Sequence, residues 1–435
     1  MPASPRPPPQ RRYMLLNIEK LVFEGHALAR QDGFVWFVDG ALPGEVVEAD
    51  MLRRARRHGF ARAVRIVEAS PFRRAPACPA FGRCGGCHLL HLDYAEQVKA
   101  KEGFVREALR RIPGLDAALR PLWPSPRIEG FRNRMSFSVG QEAGDVVLGL
   151  HHRSRPDAWV SARACVLPLP GIRTAAVSAE TALRASPPDD LSTRMDIRES
   201  EHTGECMIRF FMPSSRPPAD ALRDALSPHA REMAWTLPDG TTRIAPGSRG
   251  WITERLDRHE FQLGPDDFFQ THTPQAERLF QAVRDAARDG PARLAWDVYA
   301  GVGAISCFLA EAAGRVLAVE GRAPAARAAR RNAERNGLGH VRVLCADAAR
   351  MPMAGPKPDL VVVDPPRAGL SPELRSRLCG LAADRIFYIS CHPATLARDL
   401  EDFIRAGYRM ERVQPIDMFP HTFHVETWVV LHRAR

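Results

Sequence analysis

The chain has 435 residues, enough for about two to four domains, and its 45% apolar and 26% charged residues are ordinary for a globular protein. No apolar run approaches the roughly 18 residues that a membrane-spanning helix needs. The Pro-rich start also lacks the apolar core of a secretory signal. We therefore expect a cytoplasmic, monomeric protein with no membrane partner and a disordered tail over residues 1–12.

The charge is basic and is mostly arginine. Basic residues exceed acidic ones by 61 to 51, for a formal charge of +10, and only four of the 61 are lysine. Residues 1–90 contain 14 basic and 8 acidic side chains. A cationic N-terminal region favours a polyanionic partner, although a solvated basic face has the same composition.

Residues 13–69 have the pattern of a small β-barrel. About five short apolar runs are separated by glycine-containing turns, which is typical of an OB-type barrel. Arginines crowd one hairpin of it, and barrels of this kind commonly bind nucleic acid. The candidate RNA-binding arginines are Arg53, Arg54, Arg56 and Arg57.

A cysteine cluster follows the barrel. Its members are Cys78, Cys84 and Cys87. In a reducing compartment, clustered cysteines indicate a metal site or catalysis rather than disulfides. Zinc would take His88 or a distant cysteine as the fourth ligand, and an iron–sulfur cluster would take Cys165 or Cys206. The Cys-x-x-Cys-His spacing also matches a c-type haem site, which normally requires export.

The next segments predict a helix over residues 93–112, ended by Pro113-Gly114, and a central domain over residues 70–265. The helix is expected to pack on the catalytic domain. The central domain mixes strand-like runs with Pro-rich breaks, so we expect a mixed α/β or mostly β structure there. Its three clearest strand-like runs are 135–139, 146–150 and 207–211.

Residues 266–435 alternate short apolar runs with helical stretches rich in Ala, Arg and Leu. This alternation predicts a doubly wound, Rossmann-like parallel sheet covered on both faces. The predicted strands are 294–299, 315–319, 341–345, 360–363 and 385–389. The whole chain is thus a multi-domain α/β protein with an N-terminal barrel, a central domain and a C-terminal catalytic domain.

A nucleotide-type site is predicted where the first strand of this sheet ends. Gly301 and Gly303 form the turn into the first helix, and Glu320 ends the second strand, where it can accept hydrogen bonds from ribose hydroxyls. Because the third glycine of the dinucleotide fingerprint is absent, S-adenosylmethionine fits better than NAD. Asp347 either meets the adenine or caps a helix. Asp364 begins a stiff Asp-Pro-Pro-Arg loop suited to a planar substrate edge.

Two further residues suggest covalent chemistry. Cys391 lies between the fifth strand and a helix, whose N-terminus is expected to lower the thiol pKa. Glu426 lies in an apolar strand, where burial would raise its pKa and suit a general base. A thiolate that attacks C6 of uracil makes C5 nucleophilic enough to accept a methyl group.

At this point the chain resembles the RNA (uracil-5-)-methyltransferase family. The motifs are Phe268-Phe-Gln270, Asp297-Val-Tyr-Ala-Gly-Val-Gly303, Asp364-Pro-Pro-Arg-Ala-Gly369, Ser390 to Asp399, and Asp417-Met-Phe-Pro-His-Thr-x-His-Val-Glu426. The resemblance implies a class I methyltransferase fold with Cys391 as nucleophile and Glu426 as base. The implied contacts to S-adenosylmethionine are Gln270, Tyr299, Glu320 and Asp364. His392 and Ala304 depart from the family pattern, which usually has asparagine at the first position.

The resemblance extends to the N-terminal half. The barrel resembles a TRAM domain, and the cysteines resemble a branch with a 4Fe-4S cluster bound by Cys78, Cys84, Cys87 and Cys165. This combination favours 23S rRNA over tRNA as the substrate. Phe268 and Phe269 are candidates to stack on a flipped-out base, and a core role for one of them is the equal alternative.

Other functions remain open. An exocyclic-amine methyltransferase uses a similar Asp-Pro-Pro loop but needs no cysteine. A non-catalytic RNA-binding factor would bind the cofactor without transferring methyl groups. An iron–sulfur electron carrier would have a redox-active cluster and no cofactor binding, and radical S-adenosylmethionine enzymes have a shorter first gap between their cysteines.

Overall fold

The computed structural model describes residues 13–142, 145–185, 194–290, 292–353 and 355–434, so the tail predicted for residues 1–12 lies outside it. The chain divides into two compact units. Unit 1 contains residues 13–76, Cys87–Phe104 and His421–Phe423. Unit 2 contains Ala77–Gly86, Val105–Pro420 and the remaining C-terminal residues. The predicted central and catalytic domains therefore belong to one unit.

Unit 1 is built on a closed five-stranded barrel with strand order β1-β2-β3-β5-β4. Its strands are β1 (Met14–Leu21), β2 (Ala27–Gln31), β3 (Phe34–Asp39), β4 (Val46–Arg54) and β5 (His58–Glu68). Trp36 fills the interior, and a Cβ on Gly59 would lie 2.2 Å from its ring, so only glycine fits there. The predicted OB-type barrel is confirmed.

The predicted helix is α1 (Tyr94–Leu109), and its first part packs with the barrel. Phe104 belongs to the barrel core together with Leu89 and Leu92, and its ring meets the edge of Phe23 at 6.1 Å. Residues of the helix up to Phe104 belong to unit 1, and those from Val105 belong to unit 2. Packing of the helix on the catalytic domain stays a prediction.

The central part of unit 2 is a seven-stranded sheet of order β12-β11-β10-β9-β6-β7-β8. Its strands are β6 (Arg134–Glu142), β7 (Asp145–His152), β8 (Arg155–Ser161), β9 (Arg194–Glu199), β10 (Cys206–Phe211), β11 (Glu232–Thr236) and β12 (Thr242–Ile244). The helices of this region are α2 (Leu115–Ala118), α3 (Pro170–Ala185) and α4 (Asp220–Leu226). The three strand-like runs predicted here are confirmed as β6, β7 and β10.

A hairpin, β13 (Ile252–Leu256) and β14 (His259–Leu263), leads into the second large sheet. Phe261 of this hairpin packs in one core with Leu279 and Val362 of the catalytic part. This shared core explains why the two predicted domains form one unit.

The catalytic sheet has the order β17-β16-β15-β18-β19-β21-β20. Its strands are β15 (Ala295–Val298), β16 (Val316–Glu320), β17 (Val341–Cys345), β18 (Leu360–Val363), β19 (Arg385–Ser390), β20 (Tyr408–Ile416) and β21 (Glu426–Arg433). The helices are α5 (Thr273–Arg288), α6 (Ala304–Leu309), α7 (Ala323–Arg335), α8 (Pro372–Leu381) and α9 (Pro393–Arg405). The five predicted strands are parallel as expected, while β21 runs antiparallel to β19 and β20.

Over the residues that the structure describes, no helix has both the length and the apolar character needed to cross a bilayer.

Candidate active site

The direction of β21 brings the two predicted catalytic residues to one edge of the sheet. Parallel strand β19 ends at Ser390, next to Cys391, and antiparallel β21 begins at Glu426. Ser390 is paired with Thr427 in this register, so the beginning of β21 lies beside the end of β19. Ligands of open α/β sheets bind at this carboxyl edge.

The turn after β15 presents a concave backbone at the same edge. Gly303 has a φ of 83°, and a Cβ there would lie 3.2 Å from the Cβ of Ala329 on α7. Glu320 is held below the turn, because its two carboxylate oxygens accept hydrogen bonds from the backbone N–H of Gly301 at 2.9 Å and of Arg322 at 2.7 Å. A carboxylate has roughly four acceptor sites, so acceptor capacity remains for ribose hydroxyls. These residues fit S-adenosylmethionine.

Two other predicted cofactor contacts, Tyr299 and Asp347, lie near one another at this edge. Tyr299 is half-buried, and its pKa is raised by burial and by the nearby carboxylate of Asp347. Asp347 accepts a hydrogen bond from the Ala349 N–H at 2.9 Å, so it caps a turn rather than a helix. Gln270 is buried, and its backbone carbonyl accepts a hydrogen bond from Asn133 at 2.9 Å.

Asp297, the first residue of the glycine motif, is a buried carboxylate to which the sequence interpretation gave no role. The Ser306 hydroxyl donates to its Oδ2 at 2.5 Å, and its Oδ1 has no partner in the described structure. Burial raises the pKa of Asp297 to about 6. Burial and the charge of Asp297 together also raise the pKa of Asp364. The edge of the sheet is therefore lined by carboxyl groups that hold protons more tightly than usual.

The thiol of Cys391 lies among these groups, and the expectation of a lowered pKa is wrong. Burial, together with the carboxylates of Glu426 and Asp364, raises its pKa to about 12. Arg367 acts in the opposite direction but is outweighed. A helix N-terminus alone does not decide the pKa where burial and two acidic neighbours oppose it. Cys391 is consequently a neutral thiol in the free protein.

Glu426 is 3% exposed, and its Oε1 has no hydrogen-bond partner in the described structure. Burial raises its pKa well above the usual value, Asp364 raises it further, and Arg367 lowers it. An unpartnered buried carboxylate oxygen is costly unless a ligand uses it. This geometry suits a general base whose free oxygen accepts a proton from a bound substrate.

Arg367 and Asp399 are two residues of the site that the sequence interpretation missed. Arg367 approaches the ring of His424 at 3.2 Å and is the one cation common to the pKa shifts of Cys391 and Glu426. Asp399 is fully buried and ties the Asp364–Gly369 loop to α9 by accepting from the Leu370 N–H at 2.7 Å and the Tyr388 hydroxyl at 2.6 Å. Arg367 lies in the Asp364–Gly369 motif and Asp399 ends the Ser390–Asp399 motif, and this location is the sequence signal for both residues.

His392 replaces the asparagine usual in the family, and it caps α9. Its Nδ1 accepts a hydrogen bond from the Thr395 N–H at 3.3 Å, as an asparagine oxygen would. The loop around Cys391 is therefore still pinned at the helix start, by an imidazole nitrogen.

Of the two predicted stacking aromatics, Phe268 is 59% exposed and Phe269 is 4% exposed. Phe269 packs against Phe261 at 5.6 Å in the hydrophobic core. Phe269 is therefore a core residue, and its assignment to RNA binding is wrong.

Comparisons with known proteins agree with this layout. Residues 252–434 match the family model described as tRNA (Uracil-5-)-methyltransferase, and residues 10–64 match the TRAM domain. An uncharacterized RNA methyltransferase of Gloeobacter violaceus is 34% identical, covering 100% of this chain and 99% of its own. Another from Nitratidesulfovibrio vulgaris is 33% identical over 96% of this chain and 95% of its own.

The chain belongs to the S-adenosylmethionine-dependent RNA methyltransferase family. A solved relative, the Pyrococcus abyssi tRNA (uracil-54, C5)-methyltransferase in complex with S-adenosyl-L-homocysteine, is 27% identical with a TM-score of 0.78. The two structures match over 96% of this chain and 99% of the Pyrococcus abyssi chain. The resemblance inferred from the motifs is confirmed.

Three of the predicted cluster ligands of this methyltransferase, Cys78, Cys84 and Cys165, lie close enough to interact electrostatically, but not in metal-binding geometry. Cys78 and Cys84 both raise the pKa of Cys165, which burial brings to about 11. The pKa of Cys206 is raised by burial and by Glu199. The thiol environment therefore favours Cys165 over Cys206. Cys87 belongs to unit 1, and the described residues contain no group of three His, Cys, Asp or Glu in metal-binding geometry.

The four predicted RNA-binding arginines are exposed at one end of the barrel. Arg53 and Arg54 end β4, and Arg56 and Arg57 lie in the turn before β5. Their location matches the predicted hairpin.

Proposed function

We propose that this methyltransferase transfers a methyl group to C5 of a uridine in RNA, with Cys391 as nucleophile and Glu426 as base. The observation that carries the proposal is the juxtaposition of the half-buried Cys391 thiol, an unpartnered Glu426 oxygen and the Asp364 carboxylate at the carboxyl edge of the sheet. A methyltransferase for exocyclic amines has no use for the thiol. The family match to uracil-5 enzymes supports the same reading.

In this mechanism Cys391 activates the uracil ring before methyl transfer, and Glu426 acts after it. Cys391 attacks C6 of the uracil, its proton leaves to solvent, and the electrons of the C5–C6 double bond move toward O4. When bound, S-adenosylmethionine would supply an electrophilic methyl group for C5, with S-adenosyl-L-homocysteine as the leaving group. Glu426 then removes the C5 proton, the C5–C6 double bond re-forms, and the S–C6 bond breaks to release Cys391.

Residues around the turn after β15 would hold the cofactor. Glu320 would bind ribose hydroxyls, Tyr299 and Asp347 would flank the adenine, and Gln270 and Asp364 would face the methionyl part. Gly301 and Gly303 would allow close backbone approach. These assignments rest on the family motifs.

The raised pKa of Cys391 predicts the pH dependence. Both Cys391 and Glu426 act in their deprotonated forms, and both have raised pKa values, so kcat/KM should increase with pH. With a thiol pKa of about 12, the increase should continue without a plateau to pH 9. Steady-state methyl transfer at pH 6 to 9 measures this, with RNA binding by anisotropy as the control for substrate loss. A plateau below pH 8 would contradict the neutral thiol.

For the cysteine cluster we propose a 4Fe-4S cluster bound by Cys78, Cys84, Cys87 and Cys165. Such clusters are bound by four cysteine thiolates. In this protein the cluster would stabilise the structure or orient the RNA. Anaerobically purified protein should contain about four iron and four sulfide per chain, and Cys165→Ala should lose most of both. Cys206→Ala is the matched control and should keep them. Zinc without sulfide, or equal loss in both variants, would overturn this assignment.

We propose 23S rRNA as the substrate, on the combination of TRAM barrel and cysteine cluster, and the cytoplasm as the compartment. A tRNA substrate is the second candidate, because the Pyrococcus abyssi relative, which matches nearly the whole chain, acts on tRNA. Nucleoside analysis of 5-methyluridine in purified 23S rRNA and tRNA, from cells with and without the gene, separates the two. We expect the loss in 23S rRNA. Loss confined to tRNA would replace the substrate, and no loss in either RNA would contradict the function.

A further inference from the structure

The outer face of the barrel carries an aromatic row where polar residues are expected. On β3, Trp36 and Val38 point into the barrel, so Phe37 points outward. On β5, Gly59 and Ala61 are buried, so His58 and Phe60 point outward. We call Phe37, His58 and Phe60 the aromatic row. Phe37 pairs with Phe60 in the strand register, which places the two rings side by side.

The three rings form one continuous cluster. The centroids of Phe37 and Phe60 are 5.4 Å apart at 33°, and His58 meets Phe60 edge-on at 5.5 Å. His26 on the neighbouring side lies 5.7 Å from Phe60 and is held by a 2.7 Å hydrogen bond with Asp39. All three rings of the row are only half-buried, so part of their apolar surface meets solvent. A half-buried ring contributes less to the free energy of folding than a ring in the core, because less of its apolar surface is removed from water.

Positive charge borders the row. The guanidinium of Arg53 lies over the ring of Phe60 at 4.8 Å, and that of Arg54 lies over Phe34 at 4.5 Å. Arg56 and Arg57 follow in the exposed turn. Within the described part of the chain none of these four arginines forms an ion pair with a carboxylate. Their charge is thus available to a phosphate backbone.

We propose that the aromatic row stacks an unpaired base of single-stranded RNA while the neighbouring arginines hold its phosphates. Single-strand binding sites combine stacking rings with a cationic groove in this way, and duplex RNA offers no free base face to stack. The surface deepens the proposed RNA methyltransferase function and rests on it for the source of the RNA. It assigns to the barrel a preference for unpaired nucleotides in addition to charge.

The test compares full-length variants Phe37→Ala and Phe60→Ala with Leu15→Ala, which removes an exposed apolar side chain from β1 of the same barrel. The probe is an oligouridylate of roughly 12 nucleotides, within the site size of one OB fold, and its affinity is measured by fluorescence anisotropy at several salt concentrations. Each phenylalanine variant should raise Kd by roughly 5- to 100-fold, the loss of one base–aromatic stack. Leu15→Ala should bind as the wild type does.

Two further arms identify what the row recognises. Because no charge is removed, the slope of log Kd against log salt should stay unchanged in Phe60→Ala and should decrease when Arg53, Arg54, Arg56 and Arg57 are replaced by glutamate. Phe60→Trp keeps a stacking ring and should retain affinity. A blunt-ended RNA duplex, which has no unpaired bases, should bind the wild type and all phenylalanine variants alike.

Unchanged oligouridylate affinity in Phe37→Ala and Phe60→Ala, with thermal melting that matches the wild type, would overturn the proposal. Equal losses for oligouridylate and duplex would also overturn it, as would binding that Phe60→Trp fails to restore. These readouts are binding measurements and do not depend on methyl transfer. An inactive wild type that still prefers single strands through the aromatic row would overturn the proposed function alone.

Discussion

Cys391→Ala is expected to abolish methyl transfer to RNA while leaving cofactor binding intact. Loss of a covalent nucleophile typically lowers kcat by on the order of 10⁴-fold or more. Without the sulfur–C6 bond, C5 of uracil is too weak a nucleophile to accept the methyl group. The measurement is transfer of labelled methyl to RNA, together with S-adenosylhomocysteine affinity by calorimetry, which should change by less than about twofold because no cofactor contact is removed.

The covalent bond itself can be observed with RNA that contains 5-fluorouridine. Fluorine at C5 cannot be removed as a proton, so the wild type should accumulate a denaturation-resistant protein–RNA adduct and Cys391→Ala should form none. Cys379→Ala, which replaces a half-buried cysteine on α8, is the matched control and should behave as the wild type. Full methyl transfer by Cys391→Ala would favour the exocyclic-amine chemistry instead.

The strands of the catalytic sheet and the barrel could be predicted from the sequence because both depend on local patterns. Short β-branched runs between helical stretches give a parallel sheet, and glycine turns at close spacing give a small barrel. The domain division could not be predicted in the same way. The residues of the β13–β14 hairpin join the core of the catalytic sheet, and no local pattern reports such a long-range contact.

The motifs are enough to propose Cys391 and Glu426 as the catalytic pair, but they do not predict the electrostatics of these residues. The pKa of Cys391 depends on Glu426 from β21 and on Asp364 after β18, which the fold brings together from distant parts of the chain. A helix N-terminus is visible in the sequence, whereas burial beside two carboxylates is a tertiary property. The predicted direction of the pKa shift is therefore wrong.

The outward-facing aromatic row could not be predicted from the sequence either, because it also depends on tertiary structure. The run from Gly33 to Val38 is apolar on both faces, so its alternation does not reveal which residues point into the barrel. Only the burial of Trp36 and Gly59 shows that Phe37 and Phe60 face outward. Phe268 and Phe269 are adjacent in the chain and posed the same ambiguity, which burial resolves in favour of a core role for Phe269.

Glu426→Gln is expected to stop the reaction after methyl transfer and to leave the RNA attached to Cys391. Glutamine keeps the shape of the side chain but cannot accept the C5 proton, and loss of a general base typically lowers turnover by about 10² to 10⁴-fold. The substitution also removes a carboxylate that raises the pKa of Cys391, so attack on C6 should not be weakened. The trapped species should therefore form readily.

The measurement is gel analysis of the variant with unmodified uridine RNA and labelled S-adenosylmethionine. We expect a denaturation-resistant adduct that carries one methyl group per RNA, with no multiple turnover. Glu401→Gln, an exposed substitution on α9, should turn over as the wild type does. A merely structural role for Glu426 would lower adduct formation and turnover together, so accumulation of methylated adduct separates the base from a packing residue. Turnover near that of the wild type would require another residue to remove the C5 proton.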